Sequence, residues 1–287
     1  MSSQNNVQGN LEHIFNVFKQ SNGIIRPHTI LTGCSGSGKT FLIQQLAKAN
    51  KIPFIEINAA QLTNEGLSGN SLSKALVPLS SYGDMLNIVF FDEIDKLFLA
   101  GEDQIGSRET TIRVQNELLK ILESDTADVI GDYGKYRAVN VRNTLFFFAG
   151  AFNNEDNLTL NRLRQFGFRN EFIGRVGLLF HVDRPTIAQL GEALNNLEVF
   201  DIYTRLYPSC NKEVAHKYIM NIVSYYNEQN QLGHRILPTL LHQYFMYGGN
   251  IPKDVVESVC LIDPTPVIDL SLKTKSIGTM QNDFNNQ

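Results

Sequence analysis

A chain of 287 residues has room for one large domain or two smaller ones, each with a buried core. Its 43% hydrophobic and 19% charged content is that of an ordinary globular protein, and a formal net charge of -4 gives no overall attraction to nucleic acid. The three cysteines, Cys34, Cys210 and Cys260, are far apart with no C-x-x-C pair, which argues against zinc or a disulfide framework and for a reducing, cytoplasmic setting; no apolar run could span a bilayer.

The first ten residues are polar and predict a disordered start, after which Leu11, Ile14, Phe15 and Phe18 recur at the spacing of an amphipathic helix. Residues 1–25 therefore form a polar segment with one short helix. Thr29-Ile30-Leu31-Thr32 predicts a short buried strand, and Phe41 to Ala47 has helical spacing. Between them, Gly33-Cys34-Ser35-Gly36-Ser37-Gly38-Lys39-Thr40 fits G-x-x-x-x-G-K-[ST], the phosphate-binding P-loop, at every fixed position. The glycines let successive N–H groups turn inward as an anion nest, at a helix N-terminus whose dipole favours phosphate. Lys39 supplies charge for the β- and γ-phosphates of ATP, and Thr40 offers a hydroxyl to Mg²⁺. A bare Gly/Ser-rich turn is the alternative, against which the flanking strand and helix speak.

Further strands are expected at 54–57, 87–91, 144–149 and 178–182, and a helix at 108–123 with Val114, Leu118, Leu119 and Leu122 on one face. Strands alternating with helices predict an α/β fold, a mainly parallel sheet covered on both sides. From Pro185 the strand signal fades, and 185–196, 211–229 and 233–246 read as helices. We expect a large domain over 26–184, a small helical domain over 185–263, and a flexible tail over 264–287.

Ile88-Val89-Phe90-Phe91 runs directly into Asp92-Glu93-Ile94-Asp95. Carboxylates at the C-terminal end of a parallel strand lie where such sheets place ligands. Asp92 is positioned to hold Mg²⁺, usually through water, and Glu93 to polarise the attacking water.

Together, the P-loop, Phe90 to Lys96 (FFDEIDK), Gly150-Ala151-Phe152 at the end of an apolar strand, Val114-Gln115-Asn116, Phe168 to Arg175 (FRNEFIGR) and Ile251 to Val259 resemble the AAA+ ATPases, specifically the ClpX/HslU branch, over about residues 26–263. The resemblance implies a P-loop NTPase that hydrolyses ATP with Mg²⁺ in a ring, usually a hexamer, with ATP between subunits. It makes Arg175 the arginine finger that reaches a neighbour's γ-phosphate; the competing reading is an ion-pair arginine within its own domain. It makes Arg235, in Leu232-Gly233-His234-Arg235, the sensor-2 arginine of the small domain. Asn153 and Asn154 follow the fourth strand and could orient the lytic water, with Ala151 as the other residue at the equivalent place.

The sequence also departs from that branch. Gly66-Leu67-Ser68-Gly69 stands at the first pore loop without the aromatic-aliphatic pair used to grip a polypeptide, so Leu67 is expected either at the ring axis or against its own domain. No Ile-Gly-Phe tripeptide matches the protease-docking loop, no segment matches the N-terminal zinc domain, and the Val-Ile-Gly-Gln adenine segment has no clear counterpart. The leading expectation is a protein remodeller without a ClpP-type protease. A nucleic-acid motor or loader is the first alternative, for which Arg162, Arg164 and Arg169 are a modest basic cluster; a nucleotide-gated scaffold is the second.

Overall fold

The computed structural model describes residues 7–62, 71–99, 105–130, 134–155, 158–226 and 232–260. The pore-loop segment 66–69 and the tail 264–287 lie outside them.

Five parallel strands form the central sheet: β1 (Thr29–Thr32), β2 (Phe54–Asn58), β3 (Asn87–Asp92), β6 (Thr144–Ala149) and β7 (Leu178–His181), in the order β2-β3-β6-β1-β7. β1 and β6 are buried at every residue and β3 at all but Asp92, as expected of inner strands of a parallel sheet with both faces covered. Successive side chains alternate faces. Leu145, Phe147 and Ala149 pack toward helices α1 (Val7–Gln20) and α2 (Lys39–Asn50), while Phe146 and Phe148 face the opposite cluster, which holds Val114, Leu118 and Phe172. Phe15 stacks on Phe147 across the first interface, and Phe91 on Phe148 in the second cluster. Helix α1 begins at Val7, so residues 7–10 are helical where polarity predicted disorder; burial of Leu11, Ile14, Phe15 and Phe18 against the sheet offsets the weak local preference.

The second face is covered by α3 (Leu72–Ala75), α4 (Ile94–Leu99), α5 (Ile105–Glu123), α6 (Leu160–Gln165) and α7 (Asn170–Val176). An antiparallel hairpin, β4 (Thr126–Ile130) with β5 (Tyr136–Asn140), stands apart from the main sheet. The sequence reading did not anticipate it. Its alternation is short and only half apolar, with Ala127, Val129 and Val139 turned inward and their neighbours exposed or half-buried.

Beyond β7 follow α8 (Ile187–Asn195), α9 (Glu198–Leu206), α10 (Lys212–Tyr225), α11 (Ile236–Met246) and α12 (Lys253–Cys260). Their apolar faces form a third cluster, around Leu190, Phe200, Ile219, Leu240 and Tyr244. A capping box between Thr186 and Gln189 starts α8, and Asn211 caps α10 through the N–H groups of Glu213 and Val214. Helix α9, missed in the sequence, shows most of its surface to solvent and buries only Phe200 fully.

Candidate nucleotide site

The loop from Gly33 to Gly38 joins β1 to α2, and three of its glycines hold positive φ: Gly33 at 140°, Gly36 at 77° and Gly38 at 96°. At Gly33 space is short as well, because an added Cβ would lie 2.2 Å from the Val182 carbonyl oxygen. Lys39 is buried, and its ammonium donates to the carbonyls of Gly33 (2.6 Å) and Cys34 (2.9 Å), so the lysine folds back over the loop it follows. Burial lowers its pKa, while the carboxylate of Asp92 acts in the opposite sense.

Strand β3 brings its acids to the same cleft. Thr40 Oγ1 donates to Asp92 Oδ2 at 3.2 Å, and Asp92 Oδ1 accepts the backbone N–H of Glu93 at 2.8 Å. Glu93 takes a left-handed backbone (φ 57°), unusual for a residue with a side chain. Its carboxylate is held from two sides, by Lys96 Nζ on Oε1 (2.7 Å) and Asn58 Nδ2 on Oε2 (3.2 Å). The hydrogen bond from Lys96 leads the causes that lower the Glu93 pKa, so the group stays ionised and able to accept a proton. Glu56 lines the same cleft, and there burial raises the carboxyl pKa.

The other wall comes from the turn before α11. Gly36 and Gly233 meet backbone to backbone: a Cβ on Gly36 would lie 1.9 Å from the Leu232 oxygen, and one on Gly233 would lie 2.2 Å from the Gly36 oxygen. His234 N–H donates to that Gly36 oxygen at 2.9 Å, and Arg235 Nη1 donates to Ser35 Oγ at 3.0 Å. The cleft is thus lined by Ser35, Gly36, Gly38, Lys39 and Thr40 below, the β3 acids at one side, and His234 and Arg235 across from them. Backbone donors, a buried ammonium and neighbouring carboxylates are the requirements of a nucleotide-phosphate and metal site.

Residues 29–172, half of the sequence, match the model of the ATPase family associated with various cellular activities (AAA). The chain belongs to this family. It is similar to the ATP-dependent Clp protease ATP-binding subunit ClpX of Borrelia duttonii, 31% identical over a 174-residue alignment that covers 55% of this chain and 41% of the relative. The corresponding ClpX subunit of Bacteroides thetaiotaomicron is 33% identical over a 153-residue alignment that covers 49% of this chain and 37% of the relative. The chain thus spans about two fifths of the length of the curated relatives it matches.

In this ClpX-like AAA ATPase, the other residues singled out from the sequence stand at varying distances from the cleft. Asn153 lies just after β6 in a left-handed turn, with its side chain exposed; Ala151 is the residue of that turn that lines the cleft. Arg175, near the end of α7, is on the outside, with its Nε 2.7 Å from Glu123 Oε1 and its side chain 58% exposed. Buried Gln115 ties this region together, donating to the Gly167 carbonyl at 3.0 Å and accepting the Arg169 N–H at 3.1 Å. The arginines of the basic cluster are engaged locally: Arg162 with Glu155, Arg164 with Asn161 and Asn170, and Arg169 with Asn116 and Glu171.

The sequence reading did not single out Asn58, Glu56, Lys96 or His234. The first two sit at or near the C-terminal end of β2, which neighbours β3 with Asn58 level with Asp92, and strand order was the missing information. Among the described residues no helix is long and apolar enough to cross a membrane, and no group of three or more His, Cys, Asp or Glu could hold a metal by itself.

Proposed function

We propose that this AAA ATPase works as a ring subunit that couples hydrolysis of Mg·ATP to the remodelling of a protein client. The observation that carries the proposal is the convergence of Lys39, Thr40, Asp92 and Glu93 in one cleft, closed from the other side by Arg235. The P-loop amides and Lys39 bind the phosphates, for which Lys39 exchanges its present carbonyl partners for phosphate oxygens. Thr40 and Asp92, already in contact, are the residues that would hold Mg²⁺, which when bound would supply positive charge to offset that of the phosphates. Glu93 accepts a proton from the attacking water on a carboxylate lone pair that Asn58 and Lys96 leave free. Asn153 is the residue we assign to orienting that water.

Arg175 supplies the finger to a neighbouring subunit, a reading supported by its place on the outside in an exposed ion pair. The unit 26–184 acts as the large domain and 185–263 as the small one, and the ring, of six subunits by likeness to its branch, works in the cytoplasm without a ClpP-type protease. Local engagement of Arg162, Arg164 and Arg169 makes a nucleic-acid motor the weaker reading. Steady-state ATPase rates with and without a denatured polypeptide, and with and without DNA, test the assignment. Stimulation by polypeptide is expected; stimulation by DNA that fades with salt would replace the client, and turnover indifferent to both would leave a nucleotide-gated scaffold.

A further inference from the structure

His234 stands beside the sensor-2 arginine but is given no role above, and the structure fixes both its backbone and its ring. The backbone N–H is fixed by the Gly36 oxygen at 2.9 Å. A Cβ built on Gly38 would come within 3.0 Å of His234 Cδ2 and 3.3 Å of Nε2, so the ring edge carrying Nε2 rests over Gly38, the last residue before α2. The imidazole stacks on Phe41, with centroids 6.3 Å apart and planes 30° from parallel, and Phe41 is itself half exposed at 50%. Among the described residues neither ring nitrogen has a hydrogen-bond partner, although the ring is half-buried and lines the cleft.

We propose that His234 is a nucleotide ligand, its Nε2–H donating to the α/β-phosphate segment of a bound nucleoside di- or triphosphate. The proposal rests on the P-loop reading and extends it to the second wall of the cleft. P-loop amides cradle the α- and β-phosphates, and Nε2 lies over Gly38, the glycine at the end of that loop where α2 begins. Phe41 fixes the plane of the ring, and the backbone bond to Gly36 fixes its height. The contact would be common to ATP and ADP, because it does not involve the γ-phosphate.

Proton uptake follows from the same geometry. The charged groups lining the cleft with His234 are Lys39 from α2, Glu56 from β2, Asp92 and Glu93 from the end of β3 and the residue after it, Asp95 and Lys96 from α4, and Arg235 beside it. Without nucleotide, burial lowers the imidazole pKa from its ordinary value. Phosphate charge placed against the ring raises it. The bound-state pKa then exceeds the free-state one. The extra affinity is fully present below the free-state pKa and is lost as pH rises through the bound-state pKa.

ADP and ATP titrations of the full chain between pH 6 and 8, for wild type, His234→Phe, His234→Gln and Lys39→Ala, test this. His234→Phe keeps the stack on Phe41 but has no N–H, and is expected to weaken ADP and ATP alike by about 10-fold, the scale of a hydrogen bond to a charged group. His234→Gln keeps a donor, and is expected to bind more tightly than His234→Phe at pH 8. It should show only the pH dependence of the nucleotide itself, so the wild-type excess over it isolates the histidine proton. Wild-type ADP affinity in His234→Phe overturns the inference, as does a wild-type pH profile in His234→Gln, which remains readable if the Phe variant does not fold. Lys39→Ala separates the two levels: loss of binding there with an unaffected His234→Phe leaves the P-loop reading standing alone, and unchanged binding there removes both.

Discussion

The buried carboxylate of Asp95 accepts the backbone N–H of Phe152 at 2.9 Å, tying the first turn of α4 to the turn after β6. The turn after β6 is a costly one. Phe152, Asn153 and Asn154 all hold positive φ, 48°, 55° and 59°, where each non-glycine residue pays roughly 1–2 kcal/mol. Gly150 leaves the room: a Cβ there would lie 2.5 Å from Asp95 Oδ1. Asp95→Ala should therefore release the turn that presents Ala151 and Asn153. We expect a loss of about 1–3 kcal/mol in unfolding free energy from the stranded N–H, and a fall in kcat with ATP affinity nearly kept. Denaturant melts and nucleotide titrations check the two halves separately; wild-type kcat in the variant would mean that the turn holds itself.

Glu93 is the base in the proposed reaction, and Glu93→Gln keeps its size and its place beside Asn58 and Lys96. This variant should bind Mg·ATP normally and turn it over at least ~100-fold more slowly, the usual scale for a lost general base. Single-turnover hydrolysis at saturating ATP is the measurement. Near-normal turnover would place water activation elsewhere.

Gly36 holds φ 77° and has the Leu232 oxygen where its Cβ would go. Gly36→Ala must push the turn at 232–235 away from the P-loop, separating Arg235 from Ser35. ATP affinity should drop by about 10-fold or more while α10 and α11 stay folded, since Ile219, Leu240 and Tyr244 pack in a core to which this turn adds only the partly buried Leu232. Nucleotide titration with far-ultraviolet circular dichroism distinguishes this from global unfolding.

The ion pair of Arg175 with Glu123 is exposed, and such pairs contribute about 0–1 kcal/mol. Arg175→Ala should thus fold and bind ATP almost as wild type, yet lose turnover by about 10³-fold or more if the finger acts in trans. Glu123→Ala breaks the same pair without touching the finger, and should retain activity. Mixed rings of Arg175→Ala with Lys39→Ala contain interfaces with both halves intact, so partial recovery of ATPase is the expected result. No recovery in verified mixed rings would return Arg175 to a purely local role.

His28, buried at 5% exposure, accepts the Phe146 N–H on Nδ1, and burial drives its pKa down to about 3. Its folded-state value lies far below that of an unfolded histidine, so the unfolded chain binds the extra proton. Its contribution to stability is full above about pH 6.5 and is lost as pH falls from there toward 3, at up to about 1.4 kcal/mol per pH unit. Urea melts at pH 7.5 and 5.5 should show the loss in wild type and a smaller one in His28→Asn. Equal slopes would exclude His28 as its source.

What was legible in the sequence was local. Gly33 to Thr40, the apolar runs of β1, β3 and β6, and the acids after Phe91 each carry their structure in a few consecutive residues, because backbone freedom, strand burial and helix dipoles act at short range. The pair of strands β4 and β5 and helix α9 were not legible, since few of their residues are buried and their apolar pattern is correspondingly faint. Which residues share the site was decided by the fold. Asn58 meets Glu93 because β2 lies beside β3, and His234 meets Gly38 across almost two hundred residues because Gly36 and Gly233 lack the Cβ atoms that would hold the two turns apart. Contacts of that kind depend on strand order and on backbone approach, neither of which a run of neighbouring residues encodes by itself.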